Sequence, residues 1–436
     1  MTPKPTYKEA FKFWLKLGFI SFGGPAGQIA IMHEYLVDKK KWISDGKFLS
    51  ALNFCMLLPG PEAQQLAAYN GWLLHGIKGG LTAGILFILP SVFILLGLSI
   101  VYVTFGNIPW ITALFNGLKP AVVAVVIIAL IRIAKKSLLT PLHYITAAAA
   151  FVCIYFLNIP FPFIMLGALI IAFTAGKFYP AVNSANNDNF IVNSQIEKNY
   201  YINSLSEISV LKFNPLQFIK LTLIFAFIWL VPLFIFYFFP NNFEFWKTLS
   251  LFFTKAAFVT FGGAYAVLPY VAQFSVENLK WLTELQMIDG LALGETTPGP
   301  LVMILAFVGF MAGFNFYGGS LLMGTAGLLT TVFYTFLPSF FFIFAGAPLI
   351  ERSHKNSSIK NSLSIVTAAV VGIILNLSIY FGKAIIFPGQ FSFNSIDFFA
   401  VLWILISMIF LYKFNINVPL WILISALAGL IHFFIF

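Results

Sequence analysis

The sequence predicts an all-α polytopic integral membrane protein made of two homologous repeats that enter the bilayer in opposite orientations. Three observations lead there: a very apolar composition, a chain written twice, and basic loops that change places between the copies. Of 436 residues, 60% are hydrophobic and 9% charged, against roughly 25% charged in an average soluble domain. Phenylalanine alone supplies 53 residues, and mean hydropathy is +0.92. No soluble core hides that much apolar surface. Most of the chain therefore faces lipid, as helices that satisfy their own backbone hydrogen bonds. The alternating ten-residue segments of an outer-membrane barrel do not occur.

An offset of 239 residues superposes two long stretches without a gap. Phe22-Gly23-Gly24 falls on Phe261-Gly262-Gly263, Trp42 on Trp281, and Pro59-Gly60-Pro61 on Pro298-Gly299-Pro300. Lys16 falls on Lys255, and Gly79-Gly80 on Gly318-Gly319. Further on the register shifts, and "LPS" at 89–91 matches 337–339, "AVV" at 124–126 matches 369–371, and "NIP" at 158–160 matches "NVP" at 417–419. Each copy opens with a segment broken by Gly-Gly (8–32; 248–272) and enters a second broken by Pro-Gly-Pro (47–76; 286–315). Four apolar spans follow, at about 80–105, 110–134, 143–157 and 160–176, and again at 319–347, 362–382, 396–412 and 417–435.

The predicted organisation is a first repeat over 1–176, an Asn/Ser-rich cytoplasmic linker over 177–214, a connecting transmembrane helix over 215–239 and a second, inverted repeat over 240–436. Six segments per repeat plus one extra crossing reverse the second copy. The charges agree. "RIAKKS" (132–137) follows the fourth segment of the first copy, whereas "ERSHKNSSIK" (351–360) precedes the matching span of the second. Basic loops stay in the cytoplasm, so the copies point opposite ways, with the N-terminus and linker cytoplasmic. Inverted repeats mark secondary transporters, whose substrate site lies near the midplane where the repeats meet. A duplicated structural membrane protein is the plainer alternative.

The net charge of +10 is a topology signal and not a nucleic-acid signature, since no long basic run or basic–aromatic stripe occurs. The N-terminus is no signal peptide, because Lys12 and Lys16 interrupt its apolar run. Cys55 and Cys153 lie in apolar stretches and read as small hydrophobes. There is no phosphate loop, His33-Glu34 lacks a second histidine, and no Cys/His cluster, catalytic pair or cofactor motif is visible. An enzyme, a metal site and an ATP-driven pump are therefore not expected.

Gly-Gly and Pro-Gly-Pro break helices where no water replaces the lost hydrogen bonds. Such breaks persist where protein buries them or a polar cavity faces them. They also present free N–H groups and positive helix ends, which suit an anion. The four breaks are read as lining one central site, on segments that either span or re-enter; close-packing kinks are the alternative. Glu62 and Glu295 flank the Pro-Gly-Pro breaks and are the proton-coupling candidates, with helix capping as the other reading for Glu62. Lys16 and Lys255 lie seven residues before a Gly-Gly and either attract an anion or snorkel to the interface. Gln64, Gln65, Tyr69 and Asn70 form a polar, cavity-lining face. Arg132 and Arg352, the only arginines, sit at basic loop edges and are explained by topology; Trp42 and Trp281 read as interfacial anchors.

"SFGGPAGQIAIMHEYLVDKKKWI", "LLPGPEAQQLAAYNGW", "TFGGAYAVLPYV" and "DGLALGETTPGPLVM" resemble the chromate ion transporter family in its long two-domain form, over about 7–176 and 247–436. The resemblance implies a carrier in the bacterial plasma membrane that exports chromate, in the manner of an antiporter, with protons as the coupling ion. It implies a substrate pathway at Gly23, Gly24, Pro59, Gly60 and Pro61, and at Gly262, Gly263, Pro298, Gly299 and Pro300; Pro25 beside the first break is a further pathway candidate and, matched by Ala264, makes the two breaks unequal. Sulfate and related tetrahedral oxyanions fit the same chemistry, and a homo-oligomer is compatible with it. An oxyanion channel and a non-transporting membrane subunit are the competing readings.

Overall fold

The computed structural model describes residues 3–22, 24–178, 199–203, 214–238, 242–261, 263–346, 357–389, 392 and 395–435. Gly23, Gly262, Arg352 and most of the linker lie outside the described residues. Among the described residues the regular structure is helical, apart from one parallel β-bridge between Ile43 and Ile202. The first copy contributes α1 (Tyr7–Ile20), α2 (Gly24–His33), α3 (Asp45–Cys55), α4 (Glu62–Phe105), α5 (Pro109–Ser137), α6 (Pro141–Tyr155) and α7 (Phe161–Phe178). After α8 (Pro215–Tyr237), the second contributes α9 (Phe243–Val259), α10 (Ala264–Gln273), α11 (Glu284–Thr296), α12 (Ile304–Phe316), α13 (Leu321–Phe341), α14 (Ser357–Ile386), α15 (Phe398–Tyr412) and α16 (Val418–Ile435). Among the described residues six helices are long and apolar enough to cross a membrane: α4, α5, α8, α13 with its π-helical extension to Gly346, α14 from Ser364, and α16.

The broken segments are hairpins. α1 starts at a capping box, Thr6 with Glu9, and stops at Ile20. The chain then turns back, so that Tyr35 stacks on Phe13 at a centroid distance of 3.8 Å, with Trp42 edge-on to both. The second copy repeats this residue for residue, with Phe274 stacked on Phe252 at 5.2 Å and Trp281 edge-on at 5.5 Å. Trp42 and Trp281 are 3% and 6% exposed, which corrects the expectation of interfacial anchors: each plugs the base of a hairpin. Left-handed Lys41 and Lys280 (φ 53° and 50°) close these bases. Ser44 and Thr283 cap the helices that follow.

The second hairpin of each copy has Pro-Gly-Pro at its tip. α4 is bent back at His75-Gly76, where φ of Gly76 is +65°. Its first arm then packs antiparallel on its second, through Gly71 against Gly79 and Ala83. In the second copy the bend is Gly318-Gly319 (φ 63° and 92°), between α12 and α13. Gly79-Gly80 is therefore not the counterpart of Gly318-Gly319; the sequence register already shifts inside this arm. Likewise the left-handed turn at Asn158 has its mate in Asn415 (φ 51° and 50°), not in Asn417.

The two copies are bonded through their breaks. The Gly60 N–H donates to the Thr260 carbonyl at 2.7 Å, and the Gly299 N–H donates to the Ser21 carbonyl at 2.8 Å. Thr260 and Ser21 are equivalent, as are Gly60 and Gly299. Each buried N–H would cost about 1–3 kcal/mol if left unpaired, so each copy supplies what the other's break lacks. The Ser91 hydroxyl also donates to the Pro298 carbonyl. Beyond Gly76, α4 thus leaves the base of the first hairpins, passes the second copy's break at Ser91, and brings Tyr102 to Asp289 near the second copy's base. α13 makes the reverse journey: Ser339 lies at the Gly60 tip, and the π-helical turn after α13 sets Phe344 against Trp72.

Candidate functional site

The helix breaks converge on a cavity of about 460 Å³. Gly24, Pro25 and Ala26 open α2 on one wall; Gly263, Ala264 and Tyr265 open α10 on the other. Glu62, first residue of α4, and Leu301, first residue of the 3₁₀ turn before α12, stand at the remaining break ends. Four helical N-termini thus meet the cavity. Each carries unpaired N–H groups and partial positive charge, worth about 0.3–1 kcal/mol to an anion and up to about 2 when half-buried.

From this centre the cavity runs along the second half of α5 to Arg132, Ile133 and Lys136, and to Asn415 and Asn417 in the α15–α16 turn. α5 starts beyond Tyr102 and returns, so its Lys136 end lies at the end of the molecule that carries the N-terminal segment. Arg132 and Lys136 line the cavity, although sequence reasoning assigned them to topology. A basic loop edge and a cation aimed into a cavity look alike in sequence. The difference is that α5 continues to Ser137 and so holds Arg132 inside a helix.

The carboxylates come together on opposite walls. Glu62 opens α4 without making a side-chain cap, so the capping reading does not describe it. Glu295 accepts a 2.6 Å hydrogen bond from the Tyr265 hydroxyl. Tyr265 replaces Ala26 of the first copy, and Glu295 replaces Met56. The departure from repeat symmetry is thus a matched pair of polar groups.

Of the other expected site residues, Gly24, Pro25, Gly263 and Gly299 line the cavity. Pro59, Gly60, Pro61, Pro298 and Pro300 are buried behind it and shape the tips. Gln64 and Gln65 are also buried and do not reach it; Gln65 Nε2 donates to the Pro59 carbonyl at 2.8 Å, bracing the tip. Gln28, not singled out from sequence, braces the other tip, donating to the Gly299 carbonyl at 2.5 Å and to Ser21 at 3.2 Å. Lys16 and Lys255 are exposed on the outer faces of α1 and α9, away from the cavity. Among the described residues no group of three metal-ligating side chains converges.

Membrane-length helices packed round a charged central cavity, with broken helices at its wall, define a membrane transporter and not an enzyme. The chain belongs to the chromate transporter family, whose model matches it twice, over residues 8–173 and 247–430. It is 27% identical to a probable chromate transport protein of Synechococcus elongatus, over 98% of this chain and 96% of that one. It is 27% identical to a chromate transport protein of Cupriavidus metallidurans, over 99% of this chain and 94% of that one. An uncharacterized transporter of Bacillus subtilis is 28% identical over 40% of this chain and 87% of its own length. No solved structure matches the chain.

Proposed function

We propose that this protein exports chromate, or a related tetrahedral oxyanion such as sulfate, across a bacterial plasma membrane by secondary transport coupled to the proton gradient. The observation that carries this reading is the cavity, which joins four helix N-termini, Arg132 and Lys136 with two carboxylates. A dianion sits at the helix ends, and the Arg132 fork binds its oxygens in pairs. Glu62 and Glu295 are the proton carriers, since intramembrane carboxylates are costly and mark proton paths. A negative cell interior drives a dianion outward with about 4.6 kcal/mol for each 100 mV.

The two repeats, over 1–176 and 240–436, lie in opposite orientations, with the linker over 177–214 and the connecting helix over 215–239 between them. The reciprocal bonds between breaks support this, because a two-fold relation makes residue i meet j wherever j meets i. The hairpins re-enter, and Lys39, Lys40, Lys41, Lys135 and Lys136 gather at the N-terminal end, which is the cytoplasmic one. The cavity therefore faces the cytoplasm.

The test is labelled chromate flux into liposomes holding the purified protein, with and without an imposed pH gradient, and with sulfate as competitor. Gradient-stimulated flux is expected, and Arg132→Gln lowers chromate affinity about tenfold, as loss of a charge-assisted contact should. Flux that follows electrochemical potential alone, indifferent to the pH gradient, would make the protein a channel. No flux from a folded, inserted protein would overturn the reading.

A further inference from the structure

The central cavity leaves one charge unused. Among the described residues Asp289 is the single acid, lysine or arginine that is buried, at 4% exposure. It sits on α11, six residues before Glu295, towards the end of the molecule opposite the cavity mouth. The Tyr102 hydroxyl of α4 donates to its Oδ2 at 2.9 Å. Lys119 Nζ of α5 stands 3.8 Å from its Oδ1, which accepts no hydrogen bond, and also donates to Asn116 at 3.2 Å. Phe115 and Phe307 pack edge-on against the Tyr102 ring. The cluster ties two helices of the first copy to one of the second, across the interface that must part if the far end is to open.

Repeat symmetry supplies a control inside the molecule. At the offset of 239 residues Asp289 falls on Ser50, and at the offset that aligns the two "AVV" runs Lys119 falls on Ser364. Neither is ionisable, and Ser364 faces His143 at 3.2 Å instead. The end where the cavity is open has no ion pair at these positions, and the end that is shut has one.

The other helices packed on α11 bring little charge to the cluster. α12 has no ionisable side chain. On α14, Tyr380 and Lys383 border a separate small cavity with Glu277, and on α16 His432 lies against Phe399. On α11 itself the other acids are Glu284 and Glu295.

We propose that Lys119, Asp289 and Tyr102 form a proton-binding lock that holds the far end closed while the cavity is open to the N-terminal end. This rests on the transporter reading. In the locked state Asp289 is a carboxylate facing the Lys119 ammonium. When the far end opens, a proton from the water there converts it to the carboxylic acid; no other bond changes. Lys119 then has no anion to hold, and the lock stays open until the proton leaves.

The test places a single cysteine at Met56, a cavity-lining position, in protein with Cys55→Ala and Cys153→Ala, and labels it with an impermeant thiol reagent from either face of vesicles. The parent is expected to label fast from the N-terminal side and slowly from the far side, with the far-side rate rising in mild acid. Asp289→Asn and Lys119→Met raise the far-side rate at neutral pH about tenfold and remove the acid response. Far-side rates equal to the parent's in both variants, with N-terminal-side labelling intact, would overturn the proposal. Where Asp289→Asn loses N-terminal-side labelling as well, the cavity itself has collapsed and Tyr102→Phe decides: an unchanged far-side rate and acid response overturn the lock. Because labelling needs no chromate, gated labelling without chromate flux would sink the substrate reading and leave the lock standing.

Discussion

Gly299 shows why these breaks are glycine. Its φ is +103°, and a Cβ there would collide with the Ser91 hydroxyl that holds the Pro298 carbonyl. A Cβ on Gly60, at φ +128°, would lie 2.7 Å from Gln65 Nε2 and 2.8 Å from Ser339 Oγ. Gly24 also has positive φ, +73°, but a Cβ there would meet nothing within 4 Å, because the cavity lies there. Gly299→Ala therefore suffers both strain and a clash and should lose about 1–3 kcal/mol or more, while Gly24→Ala should lose about 1 kcal/mol from the backbone alone. Thermal unfolding in detergent checks the order; equal losses would mean the tip is not tightly packed. At this scale the carboxylates were legible, since Glu62 and Glu295 are costly in an apolar run. Arg132 was not, because a loop lysine cluster beside it supplied a sufficient topological reason. Asp289 was hidden for another cause: its partners Tyr102 and Lys119 lie 187 and 170 residues away, and only the fold brings them together.

At the scale of elements, the positions of the breaks were readable and the path of the chain was not. A helix pair that crosses and a hairpin that returns contain the same number of apolar residues and leave the same parity. What separates them is a contact, Phe13 with Tyr35, between rings whose residues give no sign of pairing until the second copy repeats it as Phe252 with Phe274. The return has a direct consequence. Cysteines at Lys12 and Lys40, both exposed, should react with an impermeant thiol reagent from one and the same face of the membrane. Reaction from opposite faces would show that the first segment crosses. The equivalence of Gly79-Gly80 with Gly318-Gly319 was a false reading at this scale, because paired glycines serve a helix contact in one copy and a bend in the other.

For the whole molecule, helical class and the doubled chain followed from composition and the repeat. The reciprocity of the breaks did not, because it is a relation between copies and not a property of either. Gly60 and Gly299 each spend their N–H on the opposite copy. One copy alone leaves its break N–H without that partner, at about 1–3 kcal/mol. A chain cut between residues 179 and 198 and expressed as two pieces should thus restore transport when both are made together. Neither piece alone should survive extraction in detergent as a folded species. A single piece that remains monodisperse and helical on its own would count against this mutual dependence.

α8 is the exception to all this packing. It buries no residue fully, although Trp229 reaches Thr254 at 3.0 Å and receives the Tyr334 hydroxyl. A segment with so little core to protect is constrained in length and oiliness far more than in spelling. Under the opposed arrangement proposed above it contributes one crossing and acts as a parity bit: without it, the second repeat has no built-in instruction as to which way round to sit.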